Sequence, residues 1–319
     1  MPQTIIDGAL EWQRLAVVNK HPRDERITFD EETHKYTIDG SRYDISCTGF
    51  VHSFFGHFDA DLIIKKMMGS SKWKPGGDSY EKYKGLTPQG IKDLWAASGA
   101  EASGAGTRMH LDVEHYYNAS PIGNLAGDSW EANPSPEWDY FMAYERRWRI
   151  PQGFVPYRTE WLVFNDEIRL AGSIDMVYLK PDGTFAIYDW KRSKEIKTEN
   201  KYQKGLGPLC HLDDCNYWHY SLQLNNYRCI LEKFYGFKVT ELALVILHPN
   251  NKSFQIIKLN LMDAEVMAMW SARADSLAAA VDGVPAPIIK PSPHGSKMDR
   301  DIDDDCAVAE ENNTCLIED

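Results

Sequence analysis

Between Tyr157 and Lys191 apolar and polar residues alternate in three successive runs, YRTEWLVFN, AGSIDMVYL and TFAIYDWK. A period of two predicts three strands. Lys180-Pro181-Asp182-Gly183 separates the last two and reads as a type I turn with a left-handed glycine in fourth place. Upstream, RITFDEETHKYTIDG predicts a small hairpin, and SCTGFVHSFFGHF and DADLIIKKMM show short amphipathic helical patterns. A longer helix is expected from near Gly106 through HLDVEHYYN, and another over PEWDYFMAYERRW. Downstream, YWHYSLQLNNYRCILEKFYG has helical period, KVTELALVILH and SFQIIKLNL read as strands, and DAEVMAMWSARADSLAAAV as a last helix. The order helix, three strands, helix, strand predicts an α/β fold with a central mixed sheet. No GxGxxG or GxxxxGK[ST] run is present to cradle a phosphate.

The turn fixes a register. Pairing Lys180 with Thr184 and counting outward sets Asp175 opposite Asp189, and Ser173, Asp175, Phe185, Ile187, Asp189 and Lys191 are expected on one face. Like charges directly opposed destabilise a sheet, so a cation is expected to neutralise them. A hard divalent ion suits oxygen ligands, and Lys191 is two residues on. An Asp-x-Lys triplet alone is ordinarily a solvated edge. Facing Asp175, with Ile187 and Phe185 beside it, the same triplet points to a metal-dependent hydrolytic site.

Composition bounds the rest. The 319 residues suffice for a substantial core, and no apolar run is long enough to span a bilayer. The segment MPQTIIDGALEWQ lacks a signal pattern, and the scattered cysteines at 47, 210, 215, 229, 306 and 315 form no secreted disulfide framework. An intracellular, soluble protein without a membrane partner is expected. Of the net charge of −12, residues 299–319 carry −8, which leaves the body nearly balanced and open to a nucleic-acid partner. That acidic tail follows a Pro-rich linker over 283–298 and is expected to be disordered, as a docking segment for a protein partner or a competitor for a basic groove. Residues 65–105 read as a lysine- and aromatic-rich helical insertion in which Lys72 and Trp73 would contact a strand. A solvated helical hairpin accounts for the same residues.

His110 within GTRMH, Glu160, Asp175 within AGSIDMVY, the Asp189–Lys191 triplet, and Gln223 to Tyr227 within QLNNY follow one another in order. In that order they resemble the RecB-like branch of the PD-(D/E)XK nucleases. The branch includes phage exonucleases, CRISPR adaptation nucleases and the mitochondrial genome-maintenance exonuclease. The resemblance covers roughly Ser46 to the last helix. It implies a restriction-endonuclease-like core (αβββαβ) over 46–282, preceded by a helix and hairpin over 1–45, with a polar insertion at 195–216.

The resemblance also implies a chemistry. His110, Asp175 and Asp189 would hold Mg²⁺ or Mn²⁺, Glu160 would lie beside the ion, and Lys191 would position or activate the attacking water. Gln223 and Tyr227 would contact nucleic acid, although an amphipathic core helix explains the tyrosine without a ligand. Six basic residues between Lys191 and Lys204, among them Arg192 and Lys194, would lie beside the scissile phosphate. The implied activity is a divalent-metal-dependent deoxyribonuclease, an exonuclease on single strands or duplex ends of DNA in replication, repair or recombination. A non-catalytic nucleic-acid-binding module on the same fold and a nicking or junction endonuclease are the alternatives. Some relatives carry an iron–sulfur cluster on a C-x-x-C group; this chain has no C-x-x-C, so no cluster is expected. Cys210, His211, Cys215 and His219 match no common zinc spacing.

Overall fold

The computed structural model describes residues 14–43, 45–118 and 131–281. The linker over 283–298 and the acidic tail over 299–319 lie outside the described residues, as do residues 1–13 of the N-terminal unit. The described residues open with α1 (Arg14–Val18) and a 3₁₀ turn. A separate antiparallel sheet follows, made of β1 (Ile27–Asp30), β2 (Lys35–Ile38) and β3 (Ser41–Arg42). Then come β4 (Ile45–Ser46), α2 (Cys47–His52), α3 (Ala60–Gly69), α4 (Asp78–Tyr83), α5 (Pro88–Asn118), α6 (Pro136–Tyr144) and α7 (Ile150–Gln152). Three long strands follow, β5 (Val155–Asn165), β6 (Leu170–Leu179) and β7 (Phe185–Lys191). The chain continues through α8 (Asn216–Ile230), β8 (Val239–Ile246), β9 (Gln255–Leu259) and α9 (Asp263–Val281). This is the mixed α/β architecture expected, with helices on both faces of a six-stranded sheet.

The turn between β6 and β7 forms as its residues dictate. Gly183 takes φ +79°, its N–H donates to Lys180 O at 3.0 Å, and Lys180 N–H donates to Thr184 O at 2.8 Å. The resulting ladder pairs Met176 with Tyr188 and Leu179 with Phe185, so Asp175 and Asp189 are next in register, at the point where the ladder stops.

Alternation sorts the strand residues into two cores. Ile187, Leu242, Leu244 and Ile246 pack under α2, α8 and α9; Ala186, Tyr188, Trp190, Ala243 and Val245 pack under α5 and α6. On the second face, Tyr117 of α5 ties its helix to the sheet. Its hydroxyl lies 2.6 Å from that of Tyr178 and donates to the buried Glu145 at 2.6 Å.

The helix expected from Gly106 begins eighteen residues earlier, at Pro88. The run AASGAEASGAG looks interrupted by glycine, yet alanine offsets the cost, and Gly99, Ser103 and Gly106 are buried contact positions. The first half of α5 joins α3 and α4 around a satellite core of Ile64, Met67, Tyr83, Ile91 and Trp95. The lysine-rich segment is thus continuous with the helix that carries His110. Among the described residues no helix is long and apolar enough to cross a membrane.

Gly172 on β6 faces α8 with no room to spare. A Cβ there would stand 2.8 Å from the Tyr227 ring and 2.8 Å from its hydroxyl, with Cys47 Cβ at 3.0 Å. Neither neighbour can retreat from a packed core, so Gly172→Ala should cost about 1–3 kcal/mol in urea unfolding. An unchanged midpoint would show that α8 yields.

Candidate active site

Strand β6 has two edges, and they are used differently. β5 pairs with it from Leu170 to Leu179 along one edge. The other is shared: β4 holds Leu170 and Ala171 in parallel, and β7 holds Met176 to Leu179 antiparallel. Residues 172–175 are therefore a fork, where β4 and β7 part. Asp175 closes it with its side chain, Oδ2 accepting from Trp190 N–H at 2.9 Å.

A second irregularity lies across from it. Glu160 on β5 takes φ +42°, a left-handed conformation that strains any residue with a side chain. The alternation shifts by one position here. Ile174 and Val177 belong to the same core, and Met176 and Tyr178 to the opposite one. On β5, Trp161 packs under α8, whereas Thr159 accepts from Asn118 of α5 at 2.8 Å. The expectation that Ser173, Asp175, Asp189 and Lys191 share one regular face is corrected accordingly. Ser173 donates instead to Glu160 Oε2 at 2.9 Å.

The shift gathers three side chains from three elements. His110 Nδ1 lies 3.6 Å from Glu160 Oε1 and 3.6 Å from Asp175 Oδ2. The other ring nitrogen, Nε2, is 3.1 Å from Trp190 O, which can only accept, so Nε2 carries the hydrogen. In the neutral ring, Nδ1 then presents a lone pair to two carboxylates, an arrangement that calls for a cation between them. One ligand atom from each of His110, Glu160 and Asp175 falls within 4.8 Å of the others, a spread that suits a divalent ion. Burial, then Asp189 and Glu160, push the Asp175 carboxyl well above the usual range, against His110 and Lys191. A cation in the group would reverse that balance. Glu114, one turn after His110, is raised to about 7 by burial and then by Glu160.

Asp189 and Lys191 stand beside this group as a pair. Lys191 Nζ is 3.1 Å from Asp189 Oδ2 and 4.8 Å from the centre of the Tyr220 ring. Asp189 Oδ2 is buried and accepts no well-directed hydrogen bond. The resemblance set Asp189 among the ligands and Glu160 beside them; the geometry groups Glu160 with His110 and Asp175 and gives Asp189 to the lysine. A small cleft opens at Lys191, walled by Thr48, Val51 and His52 of α2 and His219, Tyr220 and Gln223 of α8.

The residues expected to meet nucleic acid divide. Gln223 lines the cleft, its amide donating to Thr48 Oγ1 at 2.9 Å. Tyr227 is buried at 2% exposure beneath it, with its hydroxyl 3.4 Å from the same amide, and supports Gln223 from the core. Arg192 is engaged inside the protein: its Nε donates to Glu137 at 2.7 Å, and both side chains are largely buried. Lys194 and Lys72 are exposed, whereas Trp73 is half-buried against the satellite core, edge-on to Tyr80. His211 lies 3.2 Å from Glu265, while His219 turns inward to Asp214. The cleft residues Thr48 and His52, and Asp214 as the partner of His219, have no spacing in the sequence that links them to Lys191.

A profile for the PD-(D/E)XK nuclease superfamily matches residues 89–308, more than half of the chain. The chain belongs to the PD-(D/E)XK nuclease superfamily, whose members typically use divalent metals such as Mg²⁺. Among solved structures, a Eubacterium rectale protein named "Putative exonuclease" is similar at 15% identity. The match covers 65% of this chain and 78% of that one with a TM-score of 0.34, too distant to carry an argument about activity. No curated protein gives a significant match.

Two measurements follow from the strained and buried carboxyls. Glu160→Gly removes a left-handed side chain and one negative charge, so the metal-free protein should gain about 1 kcal/mol in urea unfolding. A loss of stability would mean that the carboxylate holds the fork together. Asp175 and Glu114 keep their protons in the folded chain at pH values where the unfolded chain releases them. Metal-free stability should therefore be greatest in acid and fall as pH rises from about 4 through neutrality. Asp175→Asn should flatten that slope, and an identical slope would place the titration elsewhere.

Proposed function

We propose that this protein is a divalent-metal-dependent deoxyribonuclease of the RecB-like type, acting as an exonuclease in replication, repair or recombination. The observation that carries the reading is the convergence of His110, Glu160 and Asp175 at the fork of β6, with the Asp189–Lys191 pair beside it. The nuclease domain spans 46–282, with the helices of 65–105 as an elaboration on its edge.

When bound, a divalent cation polarises the phosphoryl oxygen and lowers the pKa of water. The protein residues do the remaining work. His110, Glu160 and Asp175 would hold the ion, and the Trp190 carbonyl fixes the His110 ring so that Nδ1 keeps its lone pair toward the two carboxylates. Asp189 fixes the Lys191 ammonium, which orients the attacking water and offsets charge gathering on the phosphoryl oxygens. Gln223 presents its amide to the strand in the cleft, and Tyr227 braces it. Lys194, Lys72 and Trp73 would contact the strand outside the cleft, Trp73 stacking only through the part of its ring left outside the satellite core.

End-labelled single-stranded, duplex and circular DNAs incubated with Mg²⁺ or Mn²⁺ test the reading. Linear DNA should be degraded from its ends, circles should persist, and excess chelator should stop the reaction. Ca²⁺ should support binding with little cleavage, because it orients its water loosely. Asp175→Ala, Asp189→Ala and Lys191→Ala should each lower cleavage by about 10³-fold or more while the fold persists. Full cleavage by purified Asp189→Ala protein would end the assignment; rapid nicking of circles would move it to an endonuclease.

A further inference from the structure

The two oxygens of the Glu160 carboxylate have different neighbours. Oε1 lies 3.6 Å from His110 Nδ1, the nitrogen that faces both carboxylates. Oε2 accepts from the Ser173 hydroxyl at 2.9 Å. The hydrogen bond therefore engages the oxygen turned away from the histidine and leaves the other one to the group.

The partners differ in how firmly the sheet holds them. Ser173 stands between Gly172, paired with Val163 and close against Tyr227, and Ile174, paired with the buried Trp161. Glu160 sits across from Asp175, between the pairs Thr159–Met176 and Trp161–Ile174, with its backbone left-handed at φ +42°. That conformation lies outside the pleat that aims strand side chains, and the Glu160 side chain is 34% exposed. Its carboxylate has room to turn. The hydroxyl of a fixed neighbour settles which oxygen points where.

A carboxylate can give a cation one oxygen or both. Ca²⁺ takes more oxygens in a looser shell and readily accepts a bidentate carboxylate. Mg²⁺ and Mn²⁺ favour an octahedral shell, whose right angles are wider than the bite of one carboxylate. Asp175 is fixed by a backbone N–H that no side-chain change removes. Ser173 is thus the point at which the number of ligand oxygens can be altered.

We infer that Ser173 determines the metal selectivity of the group: by holding Glu160 Oε2 it limits that carboxylate to one ligand oxygen and favours Mg²⁺ or Mn²⁺ over Ca²⁺. The inference rests on the reading of His110, Glu160 and Asp175 as ligands of the ion. Ser173 acts through Glu160 and is a positioning residue.

The test uses the full chain without DNA. Mn²⁺ binding is read from the electron paramagnetic resonance of the free ion, and Ca²⁺ binding from its displacement of Mn²⁺. The wild type should bind Mn²⁺ more tightly than Ca²⁺. Ser173→Ala should weaken Mn²⁺ binding about tenfold and leave Ca²⁺ binding unchanged or tighter, so the preference for Mn²⁺ falls by about tenfold or more. Ser173→Thr and Ser173→Val match each other in shape and differ in the hydroxyl. The threonine protein should keep the wild-type preference, and the valine protein should behave like Ser173→Ala. A wild-type preference in Ser173→Ala, or equal preferences in the threonine and valine proteins, overturns the role of Ser173. Cleavage of end-labelled DNA by the wild type with Mg²⁺ would then leave the nuclease reading standing. A wild-type protein that binds neither ion overturns both.

Discussion

The structure turns on keeping the carboxyl of Asp175 buried beside two others. Asp189 faces it in register and Glu160 approaches from the neighbouring strand, so burial and repulsion act together against ionisation. Each local irregularity of the sheet answers that conflict. The ladder between β6 and β7 ends one pair short of the two aspartates, and the Trp190 N–H so released binds the Asp175 side chain. The carbonyl of the same Trp190 orients His110, while Lys191 holds Asp189. A regular sheet would have satisfied its backbone and left the carboxylates to repel one another.

Helix α8 shows how the second wall of the site is made. It is buried along almost its whole length between the sheet, α2 and α9, so its polar residues must find partners inside the protein. Asn225 accepts from Met262 N–H at 2.8 Å, Asn226 accepts from the Trp270 indole at 2.7 Å, and Gln223 meets Thr48. These bonds fix the helix rotation, which is why Gln223 and His219 both arrive at the cleft. The near approach of Gly172 to Tyr227 sets the helix depth.

Much of this was legible in the sequence because it rests on local rules. The period-two runs, the turn with its left-handed glycine and the register that sets Asp175 against Asp189 all follow from neighbours in the chain. Other features depend on tertiary contact. Glu160 is left-handed because the surrounding strands hold it so, and no residue type announces that. Helix α5 runs through a glycine-rich stretch because its small residues are buried. Arg192 belongs to a basic run, yet Glu137 on a distant helix claims it. The partnership of His219 with Asp214 is close in sequence, but the place of His219 in one cleft wall with Lys191 exists only once α8 packs on the sheet.

The unbroken course of α5 has a mechanical meaning. Twenty-two residues separate Pro88 from His110, a stiff span of about 33 Å at the rise of an α-helix. One end is gripped by the satellite core and the other by Tyr117 and Asn118 against the sheet. A rod held at both ends acts as a lever. A tilt of about 2° over that length is a displacement of about 1 Å at the far end, roughly twice the ~0.5 Å within which a metal site must be held. Whatever presses on the satellite helices is thereby felt at the His110 ring.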